Sequence, residues 1–362
     1  MRAAVLYEYN KPFNIESVEL QAPQQGEVLV RLAASGVCHS DLSVQRGIVP
    51  MRPPIIIGHE GAGVVEAIGP GVTSAKPGDH VVLTWLYSCG HCRDCSRGRP
   101  HLCDTAAKTT MTGAMYDGTT RFRTGTTAIR HWVGSFAEYT VVPEQAAVPI
   151  RQDVPLDIAS LLGCGVMTGV GAAMNTARVE PGDRVAVFGC GGVGLNVIQG
   201  AALCGAEKII AVDLVDRKLE LARQFGATHL VNPSGGDAVE RIKGLTAGRG
   251  VDYAFEVIGN VAVMQSAFTA LRSGGKLVIV GVPHATAQLA LPAIAFLQEK
   301  GVIGSSYGSP RFRYDIPRIL DLYMAKKLKL DELVSRRLTL DEINTAMEIM
   351  EQGEVARSVL VY

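Results

Sequence analysis

The sequence predicts an α/β protein, a β-rich part joined to a doubly wound parallel sheet. Three observations predict it. First, the apolar run Arg184–Phe188 leads into Gly189-x-Gly191-x-x-Gly194, then a helix-like stretch over 195–204. A second apolar run, Lys208–Val212, follows and ends in Asp213. Strand, glycine turn, helix, strand and acid is the order a dinucleotide-binding βαβ unit needs. Second, apolar runs at 252–258 and 276–280 alternate with helical stretches at 216–225 and 261–271. That alternation implies parallel strands with right-handed crossovers. Third, glycine and β-branched residues crowd 61–84, the pattern of a small barrel-like domain.

Composition sets the outer limits. The 362 residues suggest two domains, and 47% hydrophobic against 19% charged residues excludes a disordered chain. Lys+Arg and Asp+Glu both number 35, which argues against a nucleic-acid or membrane-surface partner. No uninterrupted apolar stretch approaches the ~18 residues of a membrane span. The apolar run after Met1 is too short for a signal peptide. A soluble, cytoplasmic protein is expected.

The glycine turn has a chemical reading. One glycine makes the tight turn, one lets backbone approach a pyrophosphate, and one lets helix pack on strand. The backbone of Gly189, Gly191, Gly192, Val193 and Gly194 then faces the phosphates at a helix N-terminus. Asp213 lies 19 positions past Gly194, where a carboxylate accepts from ribose hydroxyls. It would repel a 2′-phosphate, so NAD is expected over NADP.

Eight cysteines sit at 38, 89, 92, 95, 103, 164, 190 and 204. Cys89, Cys92, Cys95 and Cys103 follow C-x₂-C-x₂-C-x₇-C within a lobe of about 86–104. Four close thiolates suit a closed tetrahedral zinc site of structural type. An iron–sulfur cluster is the alternative, and the fourth cysteine lacks the proline such runs carry. His91 is a competing ligand, but four cysteines already fill a tetrahedron. Cys38, His59 and Cys164 form a second set, Cys₂His with a fourth position open to water or substrate. Read singly, each cysteine is equally a small buried hydrophobe, and His59 a hydrogen-bonded structural histidine. Asp41 and Glu60 stand beside two of these residues, as carboxylates that orient a ligating imidazole or as ordinary turn acids.

Elsewhere, 104–135 reads as a long polar loop rich in Thr and Gly, with a turn at Asp117-Gly118. Residues 135–142 return to strand. Residues 314–326 and 341–352 read as helices, and 356–362 as a closing strand.

Together the stretch Cys38 to Asp41, Gly58-His59-Glu60, the four-cysteine lobe, Gly163-Cys164-Gly165-x-x-Thr168-Gly169, the glycine turn with Asp213, and Arg357 to Leu360 resemble the zinc-dependent medium-chain alcohol dehydrogenases. The resemblance runs end to end. It implies a GroES-like catalytic domain over 1–165 and 306–362, with a Rossmann domain over 166–305. It implies a catalytic zinc on Cys38, His59 and Cys164, a structural zinc on the four-cysteine lobe, and NAD. It implies that an alcohol gives its proton to Ser40 and its hydride to the nicotinamide. Histidine often ends that proton relay where Ser43 stands here. His39 and Arg357 match pyrophosphate contacts, Lys218 a ribose neighbour, and Thr168 a nicotinamide neighbour. Trp85 and Trp132, with Val49 and Val133, match pocket walls, which suits primary aliphatic or aromatic alcohols.

The 104–135 segment has the length of the glutathione-dependent formaldehyde dehydrogenase branch, and Asp117 to Phe122 resembles its sequence. Yet that branch's arginine for the glutathione carboxylate falls on Ala107, and the adjacent Lys108 is no equivalent fork. A free alcohol is therefore the expected substrate and the glutathione adduct the alternative. A zinc-stabilised NAD-binding protein without turnover is a further alternative, although it needs no open zinc position. Residues 276–280 are expected at a sheet edge, where relatives pair, and a homodimer is expected.

Overall fold

A computed structural model describes residues 1–353 and 356–362, without the Ala107 side chain. The chain divides into two units, Met1–Cys164 with Arg311–Tyr362, and Gly165–Pro310.

The spine of the first unit is the 11-residue strand Glu27–Val37. Its alternating Val28, Val30 and Leu32 are buried, as a half-covered strand requires. It pairs antiparallel with Glu60–Ile68, with Tyr139–Pro143 and with Arg357–Val361. In that register Gly36 faces Glu60, and Ser358 faces Val37. Cys38, His59–Glu60 and Arg357 therefore converge at one end of three adjacent strands. Beside this sheet, an apolar cluster that includes Ile55, Ile57, Phe122, Ile129 and Phe136 fills the core.

The expected loop at 104–135 is a helix and a hairpin instead. Helix Asp104–Thr112 starts on an acid and ends at Gly113, whose φ of 65° makes the left-handed cap. Its threonines are poor helix formers. They fit because Thr109 and Thr112 donate their hydroxyls back to helix carbonyls. Strands Phe122–Thr124 and Thr127–His131 then pair antiparallel around Gly125-Thr126. Arg121 is 1% exposed, an unusual place for arginine. It donates to Glu27 at 2.5 and 2.8 Å and to Asp117 at 2.8 Å.

The second unit holds a six-stranded parallel sheet. Its order is His229–Val231, Lys208–Val212, Arg184–Phe188, Val251–Glu256, Leu271–Ile279, Gly301–Gly304. Successive strands are added on one side of Arg184–Phe188 up to His229–Val231 and on its other side from Val251–Glu256, which marks a switch point of a doubly wound fold. Helices Gly192–Leu203, Asp216–Gln224 and Val261–Thr269 fall where the sequence puts them. Helix Ala238–Leu245, capped by Asp237, was not legible. Residues 276–280 do not lie at the sheet edge: Gly301–Gly304 pairs outside them and is the edge strand. Residues 305–310 also stay with this unit, because Thr176 Oγ1 bonds Ser305 at 2.9 Å and Ser309 at 2.8 Å. No single helix among the described residues is long and apolar enough to cross a membrane.

His131 gives the first unit a pH dependence. Burial, with the Arg121 charge nearby, lowers its pKa from 6.5 to about 4. As pH falls through 6.5 the unfolded chain takes the proton before the folded one does. Stability is intact above 6.5 and is lost as pH falls towards 4, by about 3 kcal/mol once both states are titrated. Thermal unfolding of the zinc-replete protein across this window should fall less steeply in His131→Gln. Equal slopes would remove His131 as the cause.

Candidate functional site

Cys38 follows the spine strand and sits at the N-cap of helix His39–Gln45. His59 precedes and Glu60 opens the neighbouring strand, and Cys164 follows the 3₁₀ turn Leu161–Gly163. Ligand atoms of Cys38, His59, Glu60 and Cys164 lie within 4.8 Å of one another, and all four residues are buried. Two glycines permit this. A Cβ on Gly163 would stand 2.7 Å from Glu60 Cα, and one on Gly36 would overlap the Glu60 carboxylate. Gly58 turns the chain into His59 at a φ of 85°.

Asp41 holds the site together. It is 0% exposed, and its Oδ2 accepts the Cys38 N–H at 3.0 Å. Its Oδ1 accepts from Gly58 N–H at 3.2 Å and lies 2.8 Å from His59 Nδ1. Nδ1 carries a proton in that pairing, so Nε2 is left as the ligating nitrogen. His59 Nε2 is buried with no hydrogen-bond partner. A buried polar atom without a partner costs on the order of 1–3 kcal/mol, and a metal ion at the thiols would satisfy it. Burial opposes charge on His59, but Asp41 and Cys38 raise its pKa to about 9. Cys38 is held well below the usual thiol range, chiefly by Cys164 and against its own burial. Both shifts mark a site built for positive charge between thiolates. The donor set of two sulfurs and an imidazole fits zinc.

Glu60 accepts from the Arg357 guanidinium in a pair that is 0% and 7% exposed. The structure thus places Arg357 beside the metal ligands. Ser40 lies on the first turn of the helix, its Oγ 3.9 Å from Cys38 Sγ. His39 is exposed, and Ser43 donates to the His39 carbonyl at 3.0 Å. Trp132 stacks on the His59 ring at 4.2 Å between centroids, and Trp85 meets Trp132 edge-on at 5.8 Å. Val49 is half-buried against the same core as Trp132, and Val133 is buried.

Cys89, Cys92, Cys95 and Cys103 form the second group within 4.8 Å. Backbone N–H groups of Cys89 and Cys92 point at Cys103 and Cys89 sulfurs, at 3.3 and 3.4 Å. Such contacts stabilise thiolates on a metal. His91 turns away to the Cys89 carbonyl at 2.9 Å and is outside the group.

In the second unit each glycine of the turn meets a different constraint. Gly189 has a φ of 100°, Gly191 has no atom within 4 Å of a built Cβ, and a Cβ on Gly194 would lie 1.8 Å from the Gly189 carbonyl. Helix Gly192–Leu203 starts here, with Gly192 and Val193 in its first turn. Asp213 Oδ2 accepts from Cys190 N–H at 2.8 Å, and Oδ1 from Val215 N–H at 3.0 Å. A cavity of about 690 Å³ opens beside it, lined by Val212, Asp213, Leu214, Lys218 and Ile258 among others. Its apolar walls, with Asp213 at one side, suit an adenosine. Thr168 is half-buried in helix Gly165–Gly171. Ala107's side chain lies outside the described residues, and Lys108 is exposed on its helix.

Comparison with known proteins matches residues 24–152 to the alcohol dehydrogenase GroES-like domain and 192–325 to the zinc-binding dehydrogenase family. An alcohol dehydrogenase class-3 of Cereibacter sphaeroides is 43% identical, covering 100% of this chain and 99% of that protein. An S-(hydroxymethyl)glutathione dehydrogenase of Paracoccus denitrificans is 42% identical, with coverage of 100% and 99%. The crystal structure of benzyl alcohol dehydrogenase from Acinetobacter calcoaceticus superposes with a TM-score of 0.95 at 36% identity, covering 99% of this chain and 98% of that one.

The Asp41 bonds generate a prediction. Asp41→Asn should weaken zinc at the Cys38 site about 10–100-fold and leave the four-cysteine zinc in place. Metal analysis after graded chelation reads both sites. Loss of both metals together, or of neither, would contradict the role given to Asp41.

Proposed function

The chain belongs to the zinc-dependent medium-chain alcohol dehydrogenases, and from that premise we propose that it oxidises a free primary aliphatic or aromatic alcohol to its aldehyde. The carrying observation is the partnerless His59 Nε2 beside two thiols, with the Trp132 indole stacked on its ring and Trp85 edge-on to Trp132. Zinc bound there would lower the pKa of an alcohol oxygen, and NAD would accept the hydride.

The chain's own groups do the rest. Asp41 keeps the His59 tautomer and orientation fixed. Ser40 takes the alcohol proton and passes it to a ribose hydroxyl. Ser43 cannot hold a proton at neutral pH, so the proton leaves through water. Trp85 and Trp132 exclude water and offer an apolar wall. Val49 and Val133 extend it. His39 and Arg357 meet the cofactor pyrophosphate, Lys218 the adenosine ribose, and Thr168 the nicotinamide. The cytoplasm, where thiols stay reduced, suits both cysteine sets.

The relatives' names favour a second reading, oxidation of a glutathione adduct. Against it stands Ala107 where that branch carries its arginine. NADH formation with benzyl alcohol, hexanol, and formaldehyde plus glutathione decides between them. The free alcohols should turn over, and Ser40→Ala should cut kcat with benzyl alcohol about 10²–10⁴-fold. Dominant turnover of the glutathione adduct would overturn the free-alcohol reading.

We also read the chain as a homodimer. Edge strand Gly301–Gly304 follows a segment that exposes Ile294 at 68% and Leu297 at 81%. An open edge beside such side chains suits pairing with a second copy. Light scattering should give a dimer mass that Leu297→Asp shifts towards monomer. A monomeric parent would refute this.

A further inference from the structure

A cleft of about 560 Å³ lies beside the hairpin Phe122–Thr124 and Thr127–His131, and none of its lining residues belongs to either cysteine set. The hairpin register pairs Arg123 with Ala128. By alternation Arg121, Arg123, Ala128 and Arg130 share one face, and all four line the cleft. Gln21, whose N–H donates to the Arg121 carbonyl at 2.9 Å, and Gln24 also line it.

The three arginines are not equivalent. Arg121 is paired with two carboxylates, Glu27 and Asp117. Asp117, also on the cleft, has its carboxylate committed to Arg121 and to the Thr119 N–H and hydroxyl. Arg123 and Arg130 are half-buried, and neither has an ion pair among the described residues. Glu19 sits opposite Arg123 in the adjoining strand, yet no salt bridge joins them. Arg130 is held in place by donating to the Thr112 carbonyl at 2.9 Å. Like charges on one sheet face repel; the register sets Glu19 opposite Arg123 as a partial offset, while Arg130 pairs with Ile55 and has no acid across from it. Ala128 leaves the space between them open.

We propose that this cleft binds a small polyanion, a molecule carrying at least two carboxylate or phosphate groups. Arg123 and Arg130 are diagonal neighbours, about 7–8 Å apart at the backbone. That spacing matches two linked oxyanions better than a single ion. Each guanidinium presents a planar fork to one of them.

The test uses the full-length, zinc-loaded protein saturated with NADH, so that the cofactor's own phosphate site is filled. Calorimetric titration with pyrophosphate and with citrate, at fixed ionic strength, reads the site. At least one probe should bind, and Arg123→Gln with Arg130→Gln should weaken it at least about tenfold. A control, Arg249→Gln with Arg318→Gln, removes equal charge at exposed positions elsewhere and should bind as the parent does. Both doubles should keep alcohol turnover, which shows that they fold. Which probe binds tells phosphate from carboxylate recognition. The proposal falls if neither probe binds the NADH-saturated protein. It also falls if the cleft variant binds as tightly as the parent, or if the control loses as much.

Discussion

Everything at the metal site depends on one buried carboxylate. Asp41 accepts from Cys38, Gly58 and His59, and so joins the end of one strand to the start of the next. It fixes backbone and imidazole with the same two oxygens. A fully buried carboxylate is costly unless it is hydrogen-bonded and faced by positive charge. The first condition is met by the chain. The second is met in part by His59 and is completed when a divalent ion sits between the thiols.

Glu60 and Arg357 extend the same logic. Two thiolates, Asp41 and Glu60 would crowd negative charge into one buried volume. Arg357 returns one positive charge, and it gets there because the last strand pairs beside Gly36. Gly36 has no side chain to occupy the space Glu60 needs. Chain closure and site electrostatics are therefore one feature. A lesion in the final strand would expose Glu60 without touching a ligand.

The parallel sheet was legible because each of its signals is local. A strand, a glycine turn and a spaced acid lie within about thirty residues, the span of one βαβ unit. The Cys38, His59 and Cys164 set was not legible from spacing, since only the strand register joins residues so far apart. There the resemblance supplied what local pattern could not. Helix Asp104–Thr112 was hidden by threonines whose hydroxyls bond within the helix. Arg121 was hidden too, because an arginine in a polar stretch reads as a solvated cation until Glu27 is seen against it. The edge strand was misplaced because Gly301–Gly304 is four residues long, too short for period-two alternation to show.

Asp213 shows why the cofactor choice lies in the fold as well as in one side chain. Its carboxylate is held by the Cys190 and Val215 N–H groups, one from the glycine turn and one from the loop after the strand. Each oxygen keeps a lone pair for a ribose hydroxyl. The same bonds stop the side chain from swinging aside for a 2′-phosphate. Lys218 is only half-exposed, on the first turn of the next helix. On the cavity wall Lys218 lies beside the Asp213 carboxylate. Replacing Asp213 would loosen the glycine turn as well as remove the repulsion. Any change at Asp213 would therefore need a new brace for Cys190 along with a new charge.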